Sequence, residues 1–192
     1  MRLPASVLKL APAFSAALLL SVPLPLAAEA GDTPEREQDP TTMEILGTVE
    51  DVAVVGEGLV LEARMDTGAT SSSINALEQE TFERDDEEWI RFEVVDPADE
   101  DARITLERPI ERTARIRRHS GDPDERHVVR LDLCMGGQRI EAETTLVDRT
   151  QLTYQLLVGR SHMAGHVLVD SGNEHLRAPD CPEDAEPGHN AE

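Results

Sequence analysis

Residues 64–73 read RMDTGATSSS, a single aspartate, Asp66, set between an apolar run and a cluster of small hydroxyl side chains. A carboxylate at the end of a strand can act as a general acid or base if it faces a cleft and has a partner that sets its protonation. Gly68 permits the sharp turn that would present it, and the Thr67 hydroxyl can lock the loop by hydrogen bonding to backbone. The same aspartate could instead be an Asx residue that does no more than stabilise its own turn. Much later comes QLLVGRSHM, in which Leu157 and Val158 precede Gly159 and Arg160 and a short helical turn is expected at 161–164.

Rival chemistries fit less well. His162 and His166 are four apart, the helical spacing of a His-Glu-x-x-His zinc site, but Met163 stands where the catalytic Glu belongs and Gly165 ends the helix. His119 and His127 could take an opportunistic metal, with solvent-exposed histidines as the plainer reading. Ser71, Ser72 and Ser73 offer a nucleophile, yet no Gly-x-Ser-x-Gly elbow accompanies them.

The elements that must position these residues read as strands. MEILGTVEDVAVV and LVLEARM flank Gly56-Glu57-Gly58, a tight hairpin turn. EEWIRFEVV, ARITLE, TARIRR, RHVVRLDL, RIEAETTLV and TYQLLVG follow, mostly four to nine residues long, rich in Val, Ile and Thr, and parted by turn residues. Such spacing predicts an all-β barrel or sandwich. A second, weaker helix is expected near 76–82.

At 192 residues the chain is expected to hold one domain with tails. Residues 1–30 carry two basic residues before an apolar stretch that ends in Ala28-Glu29-Ala30, the pattern of a signal peptide. Pro12, Pro23 and Pro25 interrupt that stretch, so no membrane span is expected after cleavage. The expected location is the periplasm or outside the cell. A polar lead-in at 31–42, a domain at 43–177 and an acidic tail at 178–192 complete the division. From residue 31 on there are 16 Arg and no Lys against 38 acidic residues, a formal charge of −22. That excess argues against nucleic-acid binding. It also predicts a melting temperature that rises between about 0.1 and 1 M salt as self-repulsion is screened; a flat profile would reject this. Cys134 and Cys181, the only cysteines, either form one bridge, favoured by export, or remain a buried thiol and a loop thiol.

Taken in order, ARMDTGATSSSINA, RRHSGDPDERHVVRLDL and TTLVDRTQLTYQLLVGRSHMAGHVLVD, across residues 44–172, resemble the retropepsins, the single-lobed aspartic proteases of retroviral type. The likeness is closer to a bacterial branch labelled "ATP-dependent zinc protease". The resemblance implies a small closed barrel with one short helix after the Gly159-Arg160 strand, and Asp66 as the catalytic residue. Thr67, Gly68 and Ala69 would support its loop, with Leu157, Val158, Gly159 and Arg160 beside it. Retropepsins supply one aspartate per chain, so the implied enzyme is a homodimer acting on peptide or protein, without a cofactor or metal. Its implied flap is 117–129, with Ser120-Gly121 or Asp122-Pro123 at the tip and Arg118 and His119 leading into it. Arg112, Arg115, Arg117, Arg118, Arg126 and Arg130 suggest an acidic substrate, unless they serve neighbouring carboxylates. The label's ATP dependence finds no Gly-x-x-x-x-Gly-Lys. A non-catalytic periplasmic binding or accessory domain on the same fold is the competing expectation.

Overall fold

The run LVLEARM alternates apolar with polar or exposed side chains, and it folds as a strand in which Leu59, Leu61, Ala63 and Met65 are buried while Val60, Glu62 and Arg64 face out. A computed structural model describes residues 43–116, 124–182 and 188–189 of the chain. In chain order the strands are β1 (Glu44–Leu46), β2 (Val49–Val54), β3 (Leu59–Met65), β4 (Ser72–Asn75), β5 (Leu77–Arg84), β6 (Glu87–Asp96) and β7 (Asp99–Pro109). They continue with β8 (Arg112–Ile116), β9 (Asp124–Met135), β10 (Gln138–Val147) and β11 (Leu156–Val158). The helix α1 (Arg160–Met163), β12 (Val167–Val169) and β13 (Gly188–His189) follow.

Six strands close on themselves in the order β10-β4-β11-β3-β2-β9, the ring completed by the long antiparallel pairing of β9 with β10. Closure leaves no free edge within the ring and lets the inward residues form one core. Val52, Leu61, Ile74, Val129, Leu131, Leu146 and Leu156 are among its members. The fold is therefore all-β, a closed six-strand barrel with a single short helix directly after β11. The hairpin at Gly56-Glu57-Gly58 forms as expected, both glycines at positive φ.

A separate three-stranded antiparallel sheet, β5-β6-β7, adds Ile90, Phe92, Val94 and Leu106 to the same core. Here the structure corrects the helix expected near 76–82. Glu78, Gln79 and Glu80 favour a helix, but Asp85 and Asp86 both adopt positive φ, the backbone of a tight hairpin turn, and fold β5 back onto β6. Tertiary pairing overrides the helical propensity of LEQETFER.

The acidic segment beyond residue 177 is also tied down where it is described. Cys181 is bonded to Cys134 of β9 with a Cα–Cα distance of 5.9 Å, and Gly188-His189 pairs with β10. Just before it, Leu176 and Arg177 are held against the barrel by Glu50, a fully buried carboxylate. Its oxygens accept hydrogen bonds from the backbone N–H groups of Gly47, Leu176 (2.9 Å) and Arg177 (3.2 Å). Glu50→Ala would strand three backbone donors and is expected to cost about 3–5 kcal/mol, read as a lowered urea midpoint.

Candidate active site

β3 runs into the loop at Asp66, whose N–H donates to the Val158 carbonyl of β11 at 2.9 Å. The turn that follows folds back onto the aspartate's own side chain. Asp66 Oδ1 accepts from the N–H groups of Gly68 (2.8 Å) and Ala69 (3.1 Å), while Oδ2 has no hydrogen-bond partner among the described residues. Asp66 continues the outward parity of Val60, Glu62 and Arg64, and it is only part-buried, with Thr67 and Gly68 exposed. The result is a carboxylate fixed through one oxygen and presenting the other.

The loop is braced from the strand expected to lie beside it. Arg160, first residue of α1, donates from Nη1 to the carbonyls of Thr67 (2.9 Å) and Gly68 (3.0 Å) and from Nη2 to Thr70 Oγ1 (2.9 Å). Its own N–H donates to the Ala69 carbonyl at 3.1 Å, and Ser161 N–H donates to the Thr70 carbonyl at 2.9 Å. One planar guanidinium thus holds three acceptors of the Asp66 loop in a fixed arrangement. Gly159 makes this approach possible, since a Cβ there would sit 2.5 Å from the Ser71 carbonyl oxygen.

Behind the loop lies a buried polar chain that the sequence reading passed over. Ser72 and His162 are both fully buried. Gly159 N–H donates to Ser72 Oγ at 2.9 Å, Ser72 Oγ meets His162 Nδ1 at 2.7 Å, and His162 Nε2 lies 3.3 Å from the Leu131 carbonyl. With Nε2 donating to that carbonyl, Nδ1 accepts from the serine hydroxyl and every group is matched. Both ring nitrogens of His162 are thereby occupied in tying α1 to β4 and β9, so it does not form a ligand pair with His166. Among the described residues no three His, Cys, Asp or Glu side chains cluster as a metal site would need. His127 lies 3.4 Å from Thr113 Oγ1 through Nδ1.

Burial lowers the His162 pKa from 6.5 to about 4, against the opposing pull of the Leu131 carbonyl and the Asp132 charge. The unfolded chain therefore binds a proton between pH 6.5 and 4 that the folded chain refuses. Stability from this histidine is complete above pH 6.5 and is lost as pH falls toward 4, by up to about 3 kcal/mol. Urea midpoints measured from pH 7 to 4.5 should fall more steeply for the native protein than for His162→Asn; parallel curves would exclude the effect.

The arginines of the region divide. Arg112 pairs with Glu143, Arg115 with Glu125 and Arg130 with Glu111, while Arg126 Nε reaches Asp124 at 2.8 Å. Local charge pairing thus accounts for most of those singled out by sequence. Arg117, Arg118, His119, Ser120, Gly121, Asp122 and Pro123, in the expected flap, lie outside the described residues. Arg149, which the sequence reading did not single out, is buried beside β4.

A closed six-strand barrel, an Asp-Thr-Gly loop at the end of β3 and an apolar-apolar-Gly-Arg strand leading into a helical turn together define the retropepsin-like class. Comparison with known proteins narrows it. The family model described as retropepsin-like aspartic endopeptidase RimB matches residues 45–180, and the chain belongs to this RimB-like family. Curated relatives include proteins named probable alpha-L-glutamate ligase from Parasynechococcus marenigrum, 37% identical over 134 residues, and from Desulfotalea psychrophila, 36% identical over 112 residues. The first match covers 68% of this chain and 28% of the relative, the second 57% and 24%, so the chain spans under a third of these proteins. A crystal structure of a Legionella pneumophila protein of unknown function superposes with a TM-score of 0.62 at 26% identity, covering 70% of this chain and 98% of that one.

Proposed function

We propose that this chain is an exported aspartic endopeptidase that cuts acidic peptides as a homodimer, with Asp66 of each protomer meeting its counterpart across a two-fold axis. The observation that carries the reading is the Asp66 carboxylate, anchored through Oδ1 and open at Oδ2 on a loop that Arg160 holds by three hydrogen bonds. A residue that merely capped its turn would need no such brace.

Two carboxylates in close contact cannot both ionise cheaply, so the pair holds one proton and titrates as a unit. The ionised member takes a proton from a bound water, whose oxygen attacks the scissile carbonyl carbon while the protonated member donates to the carbonyl oxygen. The resulting tetrahedral adduct collapses as the amide nitrogen is protonated and the C–N bond breaks. No bond between enzyme and substrate forms on this route.

The acidic preference draws on the names of the curated relatives, in which a region like this chain accompanies a larger protein named for joining α-L-glutamate. Peptides rich in glutamate are the corresponding substrate class. The competing reading, a binding or accessory domain that keeps the barrel without cleavage, needs no dimer.

Mass-spectrometric analysis of a mixed peptide library, with and without a chelator, tests the proposal alongside sedimentation of the purified protein. Chelator-insensitive cleavage by a dimer is expected. A monomer under every salt condition, or an absence of products, would favour the binding domain, and loss of activity on chelation would implicate a metal.

A further inference from the structure

Arg149 is a buried charge with no counter-ion among the described residues. It is 8% exposed, and among the described residues no carboxylate pairs with it. Its Nε donates to the Tyr154 carbonyl at 2.9 Å and its Nη1 to Ser73 Oγ at 2.8 Å, while its backbone N–H donates to Asn75 Oδ1 at 2.7 Å. Two of five guanidinium N–H donors are thus matched, both by neutral acceptors. A second arginine adds to the cost. Burial first, then the positive charge of Arg126, pushes the Arg149 pKa below the usual arginine range. Arg126 Nε donates to Asp124 Oδ2 at 2.8 Å. Elsewhere on the barrel Arg112, Arg130 and Arg139 each meet a carboxylate, and the chain as a whole carries a formal charge of −21. A protein so rich in acids that buries an arginine with no carboxylate on it among the described residues leaves room for an anion that arrives from outside.

The register places both arginines on the face that Asp66 occupies: Val128, two residues from Arg126, pairs with Thr145, and Thr145 pairs with Ser73, the contact of Arg149. Ser73 pairs with Leu157, and Leu157 pairs with Arg64 of β3. Paired residues share a face, so Ser73, Leu157 and Arg64 point the same way, as does Asp66 two residues beyond Arg64. Ser73, which Arg149 Nη1 reaches, is therefore two strand spacings, roughly 10 Å, across the sheet from Arg64, and with the two-residue rise to Asp66 the separation is roughly 12 Å, about four residues of extended peptide.

We infer that Arg149, assisted by Arg126, is a specificity-determining residue that receives a carboxylate of the peptide lying across this face. The inference rests on the peptidase reading for its substrate but not for its site. A carboxylate could come from an acidic side chain or from a peptide C-terminus, and both have the planar pair of oxygens that a guanidinium fork matches.

Isothermal titration of Asp66→Asn, which holds peptide without cutting it, separates the possibilities. Three hexapeptides serve as probes: a glutamate peptide capped at both ends, its capped glutamine twin, and the glutamine peptide with a free C-terminus. One of the two carboxylate-bearing peptides is expected to bind at least about tenfold tighter than the capped glutamine twin, and which one does so identifies the source. Adding Arg149→Gln should bring that ratio to about one, while Arg149→Lys should keep part of it, since it retains the charge without the fork. A merely structural role for Arg149 would weaken all three peptides alike. Should Arg149→Gln fail to fold, as its melting curve would reveal, Arg126→Gln must still narrow the ratio. Equal binding of the three peptides, no binding of any, or an unchanged ratio in a folded Arg149 variant each overturns the inference. Arg149-dependent discrimination in a protein that never cleaves peptide would keep the site and reject the peptidase. Cleavage without discrimination would do the reverse.

Discussion

Asp66→Asn should reduce peptide cleavage by at least about 10³-fold while leaving the melting temperature nearly unchanged. Asparagine retains a carbonyl oxygen where Oδ1 now accepts from Gly68 and Ala69, so the turn keeps both hydrogen bonds. What it loses is the ability to ionise, and with it the transfer of the water proton, worth 10²–10⁴ in rate on its own. The anchored oxygen therefore reports on the fold and the open one on the chemistry, and a single substitution separates them. Mixing then tests the shared site. If each dimer needs two aspartates, refolding equal amounts of native and Asp66→Asn chains leaves about a quarter of the dimers competent, because random pairing gives one native homodimer in four. A site complete within one chain would instead keep about half of the activity. Residual cleavage near the native level in the variant would remove Asp66 from the chemistry and return it to the role of an Asx turn.

Legibility in the sequence followed how far each feature depends on local pattern. β3 could be bounded to the residue because LVLEARM runs unbroken from the Gly56-Glu57-Gly58 turn to the Asp66 turn, with one face buried along its whole length. The Asp66 loop and the Gly159-Arg160 turn were visible as motifs, since each needs particular residue types within a few positions. β4 was not visible: SSIN is four residues long, three of them polar, and it is a strand because it fits between β10 and β11 in a closed ring. With β4 unseen, Ser72 could not be assigned to the interior, nor His162 to its partner, and the histidine was weighed as a metal ligand instead. LEQETFER was misread for the opposite reason, a local helical propensity defeated by a hairpin turn of two aspartates at positive φ. Arg149 carried no signal at all. Nothing in VDRTQ distinguishes an arginine buried against Ser73 from one on the surface, whereas the six arginines nearer the expected flap attracted notice by their number, and four of them prove to have acidic neighbours.

Gly159→Ala should lower peptide cleavage by about 10²-fold, through displacement rather than loss of proton chemistry. An added Cβ would stand 2.5 Å from the Ser71 carbonyl oxygen and 2.6 Å from its carbon, and both atoms are backbone, so no side-chain rotation relieves the clash. Either α1 or the 66–71 loop must move. Arg160 and Ser161 hold that loop through the Ala69 and Thr70 carbonyls, and Gly159 N–H itself anchors Ser72, so a shift at 159 passes to both ends of the loop. Overpacking of this kind costs about 2–3 kcal/mol of stability. The catalytic penalty should be larger than the stability loss implies, because moving a reacting group by about 1 Å can cost 10²-fold in rate even in a fully folded molecule. Glu50→Ala supplies the control. It loosens the C-terminal segment by a comparable free energy without touching the loop, and per folded molecule it should keep near-native kcat. Equal activity per folded molecule in the two variants would show that the close contact of Gly159 with Ser71 serves the fold alone.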